Sequence, residues 1–171
     1  KVGVGLENLN GDFDLVGSFG PGTIAAPETQ GTLVGVVSYA GEGITAHVTG
    51  AALGILDGTV ESWFVHAGAT GSFDAFKVRG AVSYWDDYKF ISDLNVLSGI
   101  LTAEGSFDLF TVSAGVEAIN VEGPGVDYTN YGVGGQVGVA IAEGISINLG
   151  ARYFNDDLND LDTTQVAVQV V

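Results

Sequence analysis

The chain holds two histidines, His47 and His66, and the chemistry open to imidazole is metal ligation or proton transfer. A hairpin register centred on Asp57 sets the two opposite one another on adjacent strands, with Arg79 on the strand after. That arrangement reads either as a basic stripe or as polar residues that simply line water. As a metal site the pair lacks a third ligand at a recognisable spacing. A second group, Asp156, Asp157, Asp160 and Asp162, gathers carboxylates of the kind that attract hard cations such as Ca2+; the competing reading is a solvated loop. No Gly-Lys phosphate loop, HExxH or GxSxG is present. With no Cys there is no thiolate nucleophile, disulfide or Cys-ligated zinc. These residues point away from an enzyme.

Composition fixes what positions them. The 171 residues suit one domain, 1–171. Hydrophobic residues make up 46%, yet no apolar run approaches the roughly 20 residues of a membrane helix. With 27 Gly, 3 Pro and an abundance of Val, Thr, Ser, Phe and Tyr, the set favours strands. A net charge of −16 with five Lys and Arg repels polyphosphate, which makes nucleic acid and bare anionic lipid poor partners and counter-cations better ones. The chain starts at Lys1 with no charged-then-apolar leader, the form expected of a processed or trimmed polypeptide.

Period-2 alternation predicts eleven strands. Val2, Val4 and Leu6 meet Phe13 and Leu15 across Asn10-Gly11, a type I′ hairpin signal. Leu33 to Tyr39 on one parity turns at Gly41-Glu42-Gly43 into Ile44 and Val48. Trp63 and Val65 turn through Gly71-Ser72-Phe73-Asp74 into Phe76, Val78 and Val82. The unit recurs, with Leu101 and Ala103 turning through Gly105-Ser106-Phe107-Asp108 into Phe110, Val112 and Val116. Tyr131, Val137 and Ile141 turn at Glu143-Gly144 into Ile145, Leu149 and Tyr153, and Val166, Val168 and Val170 follow. Short turns alternate with longer segments at 20–31, 55–58, 86–93, 121–130 and 155–162. Eleven of the 21 acidic residues lie in those segments, against one base, Lys89.

Short turns on one rim and long polar loops on the other form the pattern of an outer-membrane barrel. Most runs hold about 9 to 11 residues, enough for a tilted strand to cross hydrocarbon, where sandwich strands more often have about 5 or 6. On the apolar parity, Phe76 and Phe110 stand by the short turns and Trp63, Tyr84, Tyr131 and Tyr153 towards the long loops, like two interfacial girdles. The other parity carries His47, Thr49, Ser62, His66, Lys77, Arg79, Ser113, Glu117, Gln136, Asn148, Arg152, Gln165 and Gln169. Buried dry, such groups would cost kilocalories each, whereas a watery lumen keeps them hydrated. The expectation is an all-β, antiparallel transmembrane β-barrel, wide because many inward positions are Gly, Ala, Ser or Thr. His47, His66, Lys77, Arg79, Glu117, Gln136 and Arg152 are its expected pore lining.

At HAGATGSFDAFKVRGAVSYW, residues 66–85, and EGSFDLFTVSAGVEA, residues 104–118, the chain resembles the general porins of alphaproteobacteria, of the Brucella and rhizobial type. The resemblance extends from residue 32 onward and rests on moderately specific motifs. It implies homotrimers of barrels with roughly 16 strands, set in outer-membrane lipid and lipopolysaccharide and passing ions and small hydrophilic solutes by diffusion. The chain departs from the family in showing no inward-folded third loop and no terminal aromatic residue. It therefore reads as a C-terminal portion truncated at both ends, lacking five N-terminal strands, the constriction loop and the extreme C-terminus, with the first run descending from the outer rim like a sixth strand. The carboxylate excess predicts preference for cations. No cofactor is implied beyond Ca2+ at the acidic outer loops, where it would bridge to lipopolysaccharide phosphate.

Two other classes fit the same pattern. A narrow, plugged barrel would serve as an envelope anchor or adhesin and give no stepwise conductance. A soluble acidic β-protein that binds calcium would stay folded without detergent. An outer-membrane lipase is a more distant reading, testable by phospholipid hydrolysis.

Overall fold

The computed structural model describes residues 1–7, 30–88, 91–143 and 145–170. They form ten strands: β1 (Val2–Glu7), β2 (Thr32–Gly41), β3 (Ile44–Leu53), β4 (Ser62–Phe73), β5 (Phe76–Asp86), β6 (Asn95–Phe107), β7 (Phe110–Gly123), β8 (Val126–Ala142), β9 (Ile145–Asp156) and β10 (Leu161–Val170). All belong to one antiparallel sheet in which spatial order equals chain order. Among the described residues β1 pairs only with β2 and β10 only with β9, so the sheet has two free edges.

Among the described residues four two-residue turns close hairpins, and their chemistry is local. Glu42-Gly43 joins β2 to β3 with Gly43 at φ 73°. A Cβ on Gly43 would stand 2.8 Å from the Ser72 carbonyl oxygen. Gly43→Val is therefore expected to destabilise the fold by about 1–2 kcal/mol from the left-handed backbone alone, read as a lower denaturant midpoint in detergent. The GSFD segments turn later than their sequence suggests. Gly71, Ser72 and Phe73 lie within β4, and the turn is Asp74-Ala75; likewise Asp108-Leu109 joins β6 to β7. Asp74 and Asp108 take positive φ, 47° and 45°, which short Asp side chains tolerate better than most residues.

Segment 121–130, expected to be a long loop, is instead a hairpin. Pro124-Gly125 fits the central positions of a type II turn, with Gly125 at φ 77°, and β7 and β8 continue up to it. The long-rim connections 54–61 and 157–160 remain longer, and β5 and β6 are joined by 87–94, of which residues 89 and 90 lie outside the described residues. The β8–β9 turn includes Gly144, which lies outside the described residues.

The first hairpin is also revised. β1 pairs directly with β2, Val2 opposite Val37 and Glu7 opposite Thr32. β1 thus runs from the short-turn rim to the long-loop rim, the reverse of the expected descent, and it does not occupy the place of a descending sixth strand. The Asn10-Gly11 turn and the strand at Phe13 and Leu15 lie outside the described residues. Ten of the eleven expected strands are present.

Both faces of the sheet are open. Among the described residues only Ala51, Leu53 and Val121 are buried hydrophobics, too few for the core of a domain this size. On one face Val112, Val137 and Ile147 are 45%, 42% and 38% exposed. Val112 faces Val137, and Val137 faces Leu149, so the apolar side chains form continuous cross-strand rows.

Candidate functional site

The opposite, polar face gathers every residue expected to line a pore. His66 stands opposite Ser83, Arg79 opposite Thr102, and Lys77 opposite Glu104. Gln136 stands opposite Ser113, Glu117 opposite Gly132, and Arg152 opposite Gly134. A concavity of about 490 Å3 crosses β5 to β10 and is lined by Arg79, Glu104, Ser113, Glu117, Gln136 and Arg152 among others. A second, of about 390 Å3, holds Thr45, His47, Thr70 and Arg79.

The histidines do not sit directly opposite. His47 faces Gly68 and His66 faces Thr49, because the β3–β4 connection contains a 3-10 turn, Ile55–Asp57, between left-handed Gly54 and Gly58. This moves the register two residues from the one expected. The imidazoles still meet diagonally, with ring centroids 5.1 Å apart and planes inclined by 29°.

Glycines on this face act as a floor for long polar side chains. Arg152 on β9 pairs with Glu117 on β7 across β8, where Gly132 and Gly134 place no side chain in the way. A Cβ at Gly132 would lie 2.8 Å from Glu117 Oε1. Arg79 pairs with Glu104 at 3.6 Å. These ion pairs are partly exposed, a setting worth about 0–1 kcal/mol. Their larger consequence is electrostatic: mid-face, Lys77, Arg79 and Arg152 are nearly balanced by Glu104 and Glu117. Among the described residues the acidic excess is not in the middle of this face.

Carboxylates collect at the long-loop rim instead, several of them held by their own neighbours. Asp156 accepts hydrogen bonds from Asn159 Nδ2 at 2.7 Å and Asn130 Nδ2 at 3.3 Å. Asp162 accepts from Tyr153 Oη at 2.8 Å and Asn155 Nδ2 at 3.0 Å. Asp157 accepts from the Thr129 amide, and Asp160 sits in a positive-φ turn. Asp156, Asp157, Asp160 and Asp162 do not converge: among the described residues no group of three or more His, Asp or Glu is placed to hold a metal ion. Glu28 and Lys89 lie outside the described residues.

One feature of the polar face departs from the alternation. Near the long-loop rim it carries Leu53, Phe64, Trp85, Val96 and Val121, and two of the three buried hydrophobics are among them. The Phe64 and Trp85 rings lie tilted against one another, their centroids 4.9 Å apart. Trp85 Nε1 donates to Ser62 Oγ at 2.7 Å, and that hydroxyl donates to the Asp86 carbonyl at 2.8 Å. Beside this shelf, burial pushes the Tyr88 hydroxyl pKa upward, with Tyr128 adding to the shift. Phe64 and Trp85 on the polar parity were the available signal.

Comparison of the chain with protein-family models, curated proteins and solved structures finds no match.

Proposed function

We propose that this sheet is the wall of an outer-membrane pore through which ions and small hydrophilic solutes diffuse, with the polar face towards water and the apolar face towards lipid. The observation that carries the reading is an unburied apolar face bounded by two parallel, inclined rows of aromatic side chains. In water such a face would greatly exceed the apolar patch a monomer exposes.

The inclination can be measured by following cross-strand partners. Tyr131 traces through Ala118 and Gly99 to Val82 on β5, two residues from Tyr84. Tyr153 traces through Val133, Val116 and Leu101 to Gly80, four residues from Tyr84. At the other rim Tyr39 traces through Ala46 and Ala69 to the same Gly80, whereas Phe107 and Phe110 lie two residues beyond the partner of Phe76. Both rows drift in one direction by about one residue per strand. At ~3.3 Å per residue and ~4.8 Å between strands, level rows require strands tilted by roughly 35°, within the range of membrane barrels. From Phe76 to Tyr84 the strand covers about 26 Å, or roughly 21 Å of height after tilt, close to the apolar band of such barrels.

The free edges of β1 and β10 are the seam at which the cylinder closes, directly or through further strands, because hydrocarbon tolerates no unpaired backbone. By the family resemblance the pore is a homotrimer of about 16-stranded barrels in contact with lipopolysaccharide. Cation preference arises at the carboxylate-rich rim rather than on the nearly balanced wall.

The chain has no cysteine, so single introduced thiols report the two faces directly. In vesicles, Ser113→Cys and Gln136→Cys are expected to react with a charged, membrane-impermeant thiol reagent and to lose conductance on reaction. Val112→Cys and Val137→Cys are expected to stay unlabelled. Equal labelling at all four positions, or the absence of conductance steps in planar bilayers, would overturn the proposal.

A further inference from the structure

His47 and His66 lie on the polar face at the diagonal of adjacent strands, their ring centroids 5.1 Å apart. The backbone makes room for this. A Cβ at Gly68 would stand 2.7 Å from His47 Cε1 and 3.2 Å from Nε2, so the ring lies across a position that only glycine leaves open. Among the described residues neither imidazole has a hydrogen-bond partner. The facing groups are Ser38 from β2, Thr45 and Thr49 from β3, Thr70 from β4 and Ser83 from β5, all uncharged. Among the described residues Arg79 is the one permanently charged residue that lines the same concavity as His47, and it is paired with Glu104.

We propose that His47 and His66 form a two-imidazole station for a late first-row divalent cation, Cu2+, Ni2+ or Zn2+, with water completing the coordination shell. Imidazole nitrogens suit these borderline metals and reach them at about 2.0–2.1 Å. To share an ion, the two rings, anchored on neighbouring strands, would have to turn about their side-chain torsions from this stack to an edge-on pair. The hard cations Ca2+ and Mg2+ seek several oxygen ligands, and no carboxylate stands beside the pair. Among the described residues there is no third protein ligand, so the ion exchanges rather than serving as a structural centre. Copper binds most tightly of the series. The site depends on the β3–β4 register alone and stands whether or not this face lines a channel.

The test is Cu2+ titration of the full chain folded in detergent, read by electron paramagnetic resonance. One equivalent is expected to give coupling to two imidazole nitrogens, with an excess of Ca2+ failing to compete. Losing a group that merely orients a ligand commonly costs about tenfold to a hundredfold in metal affinity, so His47→Gln and His66→Gln should each weaken binding at least about tenfold. Gly68→Ala keeps both histidines but displaces the His47 ring, and it should also weaken binding; thermal unfolding of each variant checks the fold. Unchanged affinity in the His47→Gln, His66→Gln double variant, or a spectrum from amine and backbone nitrogens at Lys1 only, overturns the site.

Discussion

Leu149→Arg is expected to destabilise the protein in phospholipid vesicles by about 2–4 kcal/mol, while Asn148→Arg, its immediate neighbour, changes stability by no more than about 0.5 kcal/mol. The contrast follows from geometry. Leu149 lies midway along β9 between Tyr153 and the short turn, is 54% exposed, and is paired with Val137 on the apolar face. In the proposed orientation that is the middle of the hydrocarbon layer, where a guanidinium either sheds its hydration or drags water and headgroups inward. Asn148 projects from the other face, over Gly138, which leaves room for a longer side chain. Equilibrium unfolding by guanidinium in vesicles measures both. Similar costs for the two variants would place both faces in the same medium, as a soluble sheet packed on both sides requires.

The dyad was legible from the sequence because it repeats over every strand and one slip would invert all of it. Hence Val112 and Val137 fell on one face and Gln136 and Arg152 on the other without knowledge of any contact. Local backbone chemistry was legible only in part. Pro124-Gly125 carries a turn signal but stood inside a polar, acidic stretch that also fits a loop, so β7 and β8 were foreshortened. In GSFD the Gly and Ser drew the turn forward, although Phe73 and Phe107 still pair with Phe76 and Phe110 and only the next two residues turn. The offset of His47 from His66 depended on how a 3-10 turn consumes residues, which spacing does not reveal. The bridging of Glu117 to Arg152 over Gly132 and Gly134 was hidden for a different reason. It joins strands that are not adjacent, and it arises from side chains that are absent.

Glu104→Gln combined with Glu117→Gln is expected to lower the cation-to-anion permeability ratio by roughly sevenfold at low salt. Each substitution leaves a guanidinium, Arg79 or Arg152, without its carboxylate on the polar face, turning a wall of three bases and two acids into three bases alone. A local potential more positive by about 1 kT, modest beside the several kT that protein surfaces generate, repels cations and attracts anions by the same factor, and the two factors multiply in the ratio. The exposed ion pairs contribute little to stability, so the double variant should fold as the parent does. Reversal potentials in a salt gradient give the ratio. The shift should fade near 1 M salt, where the Debye length falls to about 3 Å from about 10 Å at 0.1 M. Neutralising Asp156 and Asp157 should also reduce cation preference, but through ion entry at the mouth and with the single-channel current falling at low salt. An unchanged ratio in the Glu104, Glu117 double variant would mean that the permeating ions do not pass along this face of the sheet.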